Sequence, residues 1–297
     1  MTENFTPAKA GTQRPRLSKE EYAEKKRAEK DGVYQLADEA AKEIVSSPEK
    51  FKAFLDTQSR LDRYSAVNAL LIYKQYPQAV QLKDFDDWSK DNIKITKGAK
   101  SISILEPVEY AKRDGTTGIS YNVKKVFDVA QTNGKRPPAP TANRDPKALI
   151  TTMLDSSPVN VEATNDLPYP NMAAFYNNEE QTLYVKRDVG DSVAVAQCVA
   201  QELGHAQLSI NSDSYSRSDM GFQAVCIGYM LCKNTVLIHR ILPLTVFRIS
   251  SQTKSRRTFV LNYLRREMRW LIFIPVFLTN CIRKSRNAQK IMKDKRY

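Results

Sequence analysis

One stretch constrains this chain more than any other: Val195-Ala-Gln-Cys-Val-Ala-Gln-Glu-Leu-Gly-His-Ala-Gln-Leu208. Apolar side chains recur at Val195, Val199, Leu203 and Leu208, with alanine at 196, 200 and 206. Recurrence at three and four residues is the period of a helix face, so the stretch predicts a buried helix rather than a strand. Asp191 and Ser192 stand where N-cap side chains are needed. Two ionisable side chains, Glu202 and His205, interrupt the apolar pattern. At i,i+3 they either form an ordinary polar pair on one face or carry chemistry.

The run Gln201-Glu202-Leu203-Gly204-His205 is one residue away from His-Glu-x-x-His, the helical zinc motif of metallopeptidases. That motif works because two histidines at i,i+4 share a face and bind zinc, while the glutamate acts on the bound water. Here Gln201 replaces the first histidine. A neutral amide is a poor ligand for zinc, which takes imidazole, thiolate or carboxylate. Glu202 remains as the candidate catalytic base and His205 as the candidate metal ligand.

The chain has 297 residues, room for two modest domains. Its net charge of +13 suggests a nucleic-acid partner, but the distribution qualifies that. Residues 234–297 hold 15 Lys/Arg and 2 Asp/Glu, and residues 1–233 hold 31 of each. The whole excess therefore sits in the tail, and the body is neutral. Cys198, Cys226, Cys232 and Cys281 form no CxxC pattern, and three lie on apolar helical stretches, as reduced thiols of a cytoplasmic protein do. No apolar run approaches the roughly 20 residues of a membrane span, and the polar N-terminus lacks a signal core, so the expected location is the cytoplasm.

Along the chain, residues 1–17 read as a disordered arm. Ser18-Lys-Glu-Glu21 is a capping box opening a charged helix to about Lys30, which completes an arm over 1–32. Val33–Val45, a helix capped by Ser47-Pro48, and Tyr64–Tyr73 supply apolar faces. Phe85 and Trp88 fall on a short helix or turn. Ile93–Ile95, Ser101–Leu105, Val108–Tyr110, Ser120–Val123 and Lys125–Val129 read as strands of a small antiparallel sheet, with Asp114-Gly115 as a turn. Residues 133–146, with four prolines, read as a linker. A short helix over Lys147–Leu154, a strand at Val159–Val161, a hairpin around Asn177-Asn178, the 195–208 helix and a helix over Met220–Cys232 follow. The expected class is α+β.

Two regions resemble a known family. Tyr64-Ser-x-x-Asn68-x-Leu-Leu, Trp88, Lys97-Gly98-x-Lys100 and the Ile-x-Ile strand up to Pro107 occur in one order. On them, residues 33–132 resemble the N-terminal single-stranded-DNA-binding domain of ArdC-type antirestriction proteins from bacterial mobile elements. Residues 147–233 resemble the zincin-like metallopeptidase domain that follows in those proteins. The resemblance implies zinc, but with departures. The family's first histidine falls on Gln201, and its third ligand, a glutamate on the next helix, falls on Val225 beside Ala224. Two of three ligands are missing, so no cofactor is expected and the zincin-like domain is expected to be degenerate and non-catalytic. Asp213 or Asp219 remain as substitute donors for a zinc ion.

After Cys232-Lys233 the resemblance stops. The family continues with roughly Tyr-Gly-Phe-Asp-Thr-Ser, and codons compatible with Asn234–Arg240 spell that string in a frame offset by two bases. The expectation is that 234–297 is a non-native basic tail from a shifted reading frame, and the rival is a basic tail for a membrane surface or nucleic acid.

The function this implies is single-stranded DNA binding by an antirestriction-like protein of a conjugative element. Aromatic side chains stack on bases and lysines meet phosphates. Tyr64, Tyr73, Tyr76 and Trp88 are candidate stackers, with core packing as the alternative for Tyr64 and Trp88. Lys74, Lys94, Lys97 and Lys100 are candidate phosphate contacts, with a solvated surface as the alternative. Gly98 lets backbone N–H groups approach an anion. Asn68, on an apolar helix, is either a DNA contact or a structural hydrogen-bonder. Two other functions remain open: a zinc metallopeptidase using Glu202 and His205, and a scaffold whose zincin-like domain binds a protein partner.

Overall fold

Ser18 starts the first helix of this computed structural model, which describes residues 17–61, 63–136, 145–187 and 190–234. The arm before 17, the centre of the expected linker and the tail beyond 234, with His239 and Cys281, lie outside the described residues. The Ser18 hydroxyl accepts the Glu21 N–H at 3.1 Å and the Glu21 carboxylate accepts the Ser18 N–H at 2.8 Å, the reciprocal capping box. Helix α1 then runs unbroken from Lys19 to Ile44. The sequence suggested two helices parted near Gly32. One glycine costs a helix interior only about 1 kcal/mol. The buried row Val33, Ala37, Ala40, Ala41 and Ile44 anchors the segment after it.

Helices α2 (Pro48–Arg60) and α3 (Ala66–Gln75) are capped by the side chains of Ser47 and Ser65. They deliver Phe54, Leu55, Leu70, Leu71 and Ile72 to the interior. Strand β1 (Leu82–Lys83), helix α4 (Phe85–Lys90), β2 (Ile102–Ala111) and β3 (Thr117–Asp128) follow. The sheet is antiparallel in the order β1-β3-β2. Two pairs of strands read from the sequence are thus single strands. Val108–Tyr110 continues β2, and Ser120–Val129 is essentially one strand. Ile93–Ile95 is no strand: it makes an isolated bridge, Ile95 to Thr132.

Next, α5 (Pro146–Asp155) precedes a second sheet of β4 (Asn160–Thr164), β5 (Ala174–Asn177) and β6 (Thr182–Lys186). Its order is β4-β6-β5, with β4 parallel and β5 antiparallel to β6. Helices α6 (Ser192–Ile210) and α7 (Arg217–Asn234) close the chain's described part. The class is α+β.

The main core draws on both halves. Phe51, Phe54 and Leu55 of α2 pack in one cluster with Leu203 of α6 and with Tyr229 and Met230 of α7. Asp56 of α2 sits under α7, where Tyr229 donates its hydroxyl to the carboxylate and Lys233 lies 3.1 Å away. No helix among the described residues is long and apolar enough to cross a membrane.

Candidate functional site

The 195–208 stretch is helical and buried, as its apolar spacing predicts. Asp191 caps α6 by accepting the N–H groups of Val193 and Ala194 at 3.0 and 3.3 Å. Small residues bring α7 close. A Cβ on Gly204 would lie 2.8 Å from the Ala224 carbonyl oxygen, and one on Gly228 would lie 3.0 Å from the Gln201 backbone.

Glu202 is fully buried in this setting. Its Oε2 accepts the Tyr176 N–H of β5 at 2.8 Å, and its Oε1 accepts from Nη2 of Arg217 at 2.6 Å. Arg217, at the first position of α7, also stacks over the Phe175 ring at 4.7 Å. Burial works against the guanidinium's charge, but the bond to Glu202 outweighs it and raises its pKa. His205, one turn along α6, is buried, and its Nδ1 lies 2.9 Å from the Tyr215 hydroxyl. Burial, with the Arg217 charge adding to it, pushes the imidazole pKa down to about 3. The ring is therefore neutral at physiological pH, and the phenol has its own pKa pushed up to about 12, chiefly by burial.

The divalent metal implied by the resemblance does not fit these residues. Gln201 and Val225 stand at two of the three positions where the resemblance implies ligands. The oxygens of Glu202 are bonded to Arg217 and to the backbone. Asp213 and Asp219 are both exposed. Among the described residues, no group of three His, Cys, Asp or Glu converges. Arg217, Tyr215 and Tyr176 were not singled out from the sequence. The available signal was the scarcity of cations: between Arg187 and Lys233 Arg217 is the single basic residue, and a buried glutamate in α6 needs one.

The DNA-binding candidates divide by burial. Trp88 is 1% exposed, its indole N–H donates to the Phe127 carbonyl at 2.9 Å, and Lys83 covers its ring at 5.2 Å. Tyr64 packs against the cluster of Leu61, Ile72, Leu82 and Ile102, as Tyr76 does. Tyr73 packs edge-on to Phe54 at 6.3 Å. In this conformation Trp88 and Tyr64 fill the packing role. Both atoms of the Asn68 carboxamide bond the Leu105 backbone at 2.8 Å. Lys74 pairs with Glu43 at 2.5 Å.

Lys94, Lys97 and Lys100 are exposed. Lys97 and Gly98 form the centre of a turn closed by the Ala99 N–H to the Thr96 carbonyl at 3.0 Å. Gly98 has φ of 86°, the left-handed value a type II turn requires at this place. Further aromatic surface lies on β2 and β3, beyond the sheet's buried end. Tyr110 is 49% exposed and Tyr121 41% exposed, with Ile119 between them in sequence space at 64%. The Tyr110 ring lies over Gly118, where a Cβ would meet its Cζ at 2.6 Å. No sequence feature distinguished these tyrosines from strand residues that pack inward.

No protein-family model and no curated protein sequence matches the chain significantly. The chain is similar in structure to the antirestriction ArdC protein from the R388 plasmid. With its metal-free crystal structure the TM-score is 0.47 at 13% identity, covering 84% of this chain and 96% of that one. With its Mn(II)-bound crystal structure the TM-score is 0.48 at 13% identity, covering 85% and 97%.

Proposed function

We propose that this chain is an antirestriction-like protein of a mobile element. In this reading its N-terminal half, residues 33–132, binds single-stranded DNA in the cytoplasm. The zincin-like half, residues 147–233, does no zinc chemistry. The ordered motifs from Tyr64 to Pro107 support the family reading. The observation that carries the binding reading is the two-stranded ribbon formed by Glu106–Ala111 and Thr117–Asn122. Its Tyr110 and Tyr121, which the strand register places on opposite faces of the ribbon, are about half exposed, whereas Trp88 is almost fully buried. Stacking on aromatic faces tolerates any base, and backbone phosphates need cations nearby. Lys112 and Arg113 at the ribbon's tip and Lys97 and Lys100 before its base are exposed cations.

The ion pair on Glu202 supports the non-catalytic half of the reading. A carboxylate with no exposed surface, bonded to Arg217 and to a backbone N–H, is closed off from bulk water.

Titration of labelled single strands with Tyr110→Ala, Tyr121→Ala and Lys97→Ala/Lys100→Ala tests the surface. Each tyrosine is expected to lower affinity about tenfold, the scale of one stacked base at about 1–3 kcal/mol. The lysine pair is expected to lower affinity and also to flatten the dependence on salt. Unchanged affinity in all three variants contradicts the reading.

A further inference from the structure

A carboxylate with no exposed surface, set in an apolar helix, needs a cation beside it. Where a zincin's ligand set is complete, a divalent ion lies beside the corresponding helix. In this chain the cation facing Glu202 is a side chain. Arg217 donates Nη2 to Oε1 at 2.6 Å, and the Tyr176 N–H satisfies Oε2 at 2.8 Å. Nη1 reaches toward the Tyr176 carbonyl at 3.4 Å, and the Phe175 ring lies under the guanidinium at 4.7 Å. Two residues before Arg217, Tyr215 engages Nδ1 of His205. Tyr215 of the connection from α6 to α7 and Arg217 at the start of α7 thus engage both ionisable side chains of the motif.

We infer that Arg217 is a resident cation, carried by the chain itself, that takes over the structural part of a metal's work and excludes a divalent ion from this place. It pins α7 to α6 and β5 by charge, and its positive charge, held against Glu202 at 2.6 Å and beside His205, repels a divalent ion. The loss of ligands at Gln201 and Val225 is then matched by a compensating charge rather than left as a defect. This inference is independent of DNA binding, since it concerns only what neutralises Glu202.

The pair is asymmetric, and the asymmetry gives the test. The Glu202 side chain is 0% exposed and that of Arg217 is 31% exposed. Removing the cation strands a buried carboxylate, whereas removing the carboxylate's charge leaves a guanidinium that water reaches. In the full-length chain, Arg217→Met is expected to lower the melting midpoint by about 10 °C, and Glu202→Gln by less than half of that. The double variant Glu202→Gln/Arg217→Met is expected to recover most of the loss. Zinc chloride or manganese chloride added to the unaltered chain is expected to leave the midpoint in place, and dialysed protein is expected to hold no stoichiometric zinc or manganese. If Arg217→Met does not fold, the double variant still decides: folded protein supports the inference, and an unfolded double variant beside a folded Glu202→Gln overturns it. One bound zinc or manganese per chain that disappears in His205→Ala, or an Arg217→Met midpoint no lower than that of Glu202→Gln, also overturns it.

Discussion

Asn68 holds Leu105 by both of its backbone groups: the side-chain amide donates to the carbonyl and accepts the N–H, each at 2.8 Å. Two turns along α3, Gln75 does the same to Ser103, with both bonds at 2.9 Å. Strand β2 is the edge of the order β1-β3-β2, so these carboxamides stand where a further strand would pair. They attach α3 to the sheet and cover an edge that would otherwise be open to another chain.

Asn68→Leu keeps the side chain's volume and removes both bonds. It is expected to cost about 2 kcal/mol in urea unfolding, the scale of two ordinary hydrogen bonds. Affinity for single-stranded DNA, measured well below the melting midpoint, should not change. A stable variant with lost affinity would move Asn68 from the edge clamp to the DNA contacts.

Trp88→Phe separates packing from stacking. It keeps an aromatic ring but removes the indole bond to the Phe127 carbonyl. Stability is expected to fall by about 1–3 kcal/mol, since a buried carbonyl loses its donor. DNA affinity should stay within twofold. A tenfold loss of affinity in a protein of unchanged stability would place the ring at the nucleic acid.

Gly204→Ala inserts a Cβ 2.8 Å from the Ala224 carbonyl oxygen, a contact that backbone must yield to. The expected cost is about 1–3 kcal/mol, read by chemical denaturation. The same change at Gly32, where an added Cβ meets nothing within 4 Å, should stabilise α1 by up to about 1 kcal/mol. Equal effects at the two positions would contradict the close crossing of α6 and α7.

The acid sensitivity of the fold should trace to His205. The folded chain holds its ring neutral, with a pKa of about 3 against 6.5 ordinarily. Below pH 6.5 the unfolded chain binds a proton that the folded chain refuses, so stability from this residue is constant above that pH. It falls by up to about 1.4 kcal/mol per unit as the pH drops from 6.5 toward 3. His205→Gln should remove this slope from a series of melts between pH 7 and pH 5. An unchanged slope in that variant would locate the titration elsewhere.

The helices were legible because their signals are local. Ser18, Ser47 and Asp191 each cap the helix that their position announces. The uninterrupted α1 was not, because burial of Val33 and Ala37 against α3 and β2 overrides one glycine. The site was half legible. Gln201, Glu202 and His205 stand on one helix and are read by spacing. Arg217 comes from the next helix, and its partnership depends on how α6 and α7 cross, which no local pattern encodes. Trp88 and Tyr64 carry two readings for a related reason. An aromatic side chain serves a core and a stacking surface equally well, and only tertiary burial separates them.

The most direct test of DNA binding is a comparison of labelled single and double strands, titrated at low and high salt with the full chain and with a chain ending at Asn234. Residues 234–297, with 15 Lys/Arg against 2 Asp/Glu, attach to any polyanion, and salt suppresses that contribution steeply. The account predicts that the shorter chain, carrying no net charge through residue 233, still binds single strands at least tenfold more tightly than duplex. Binding that vanishes with the tail, or that treats the two forms alike, would contradict it.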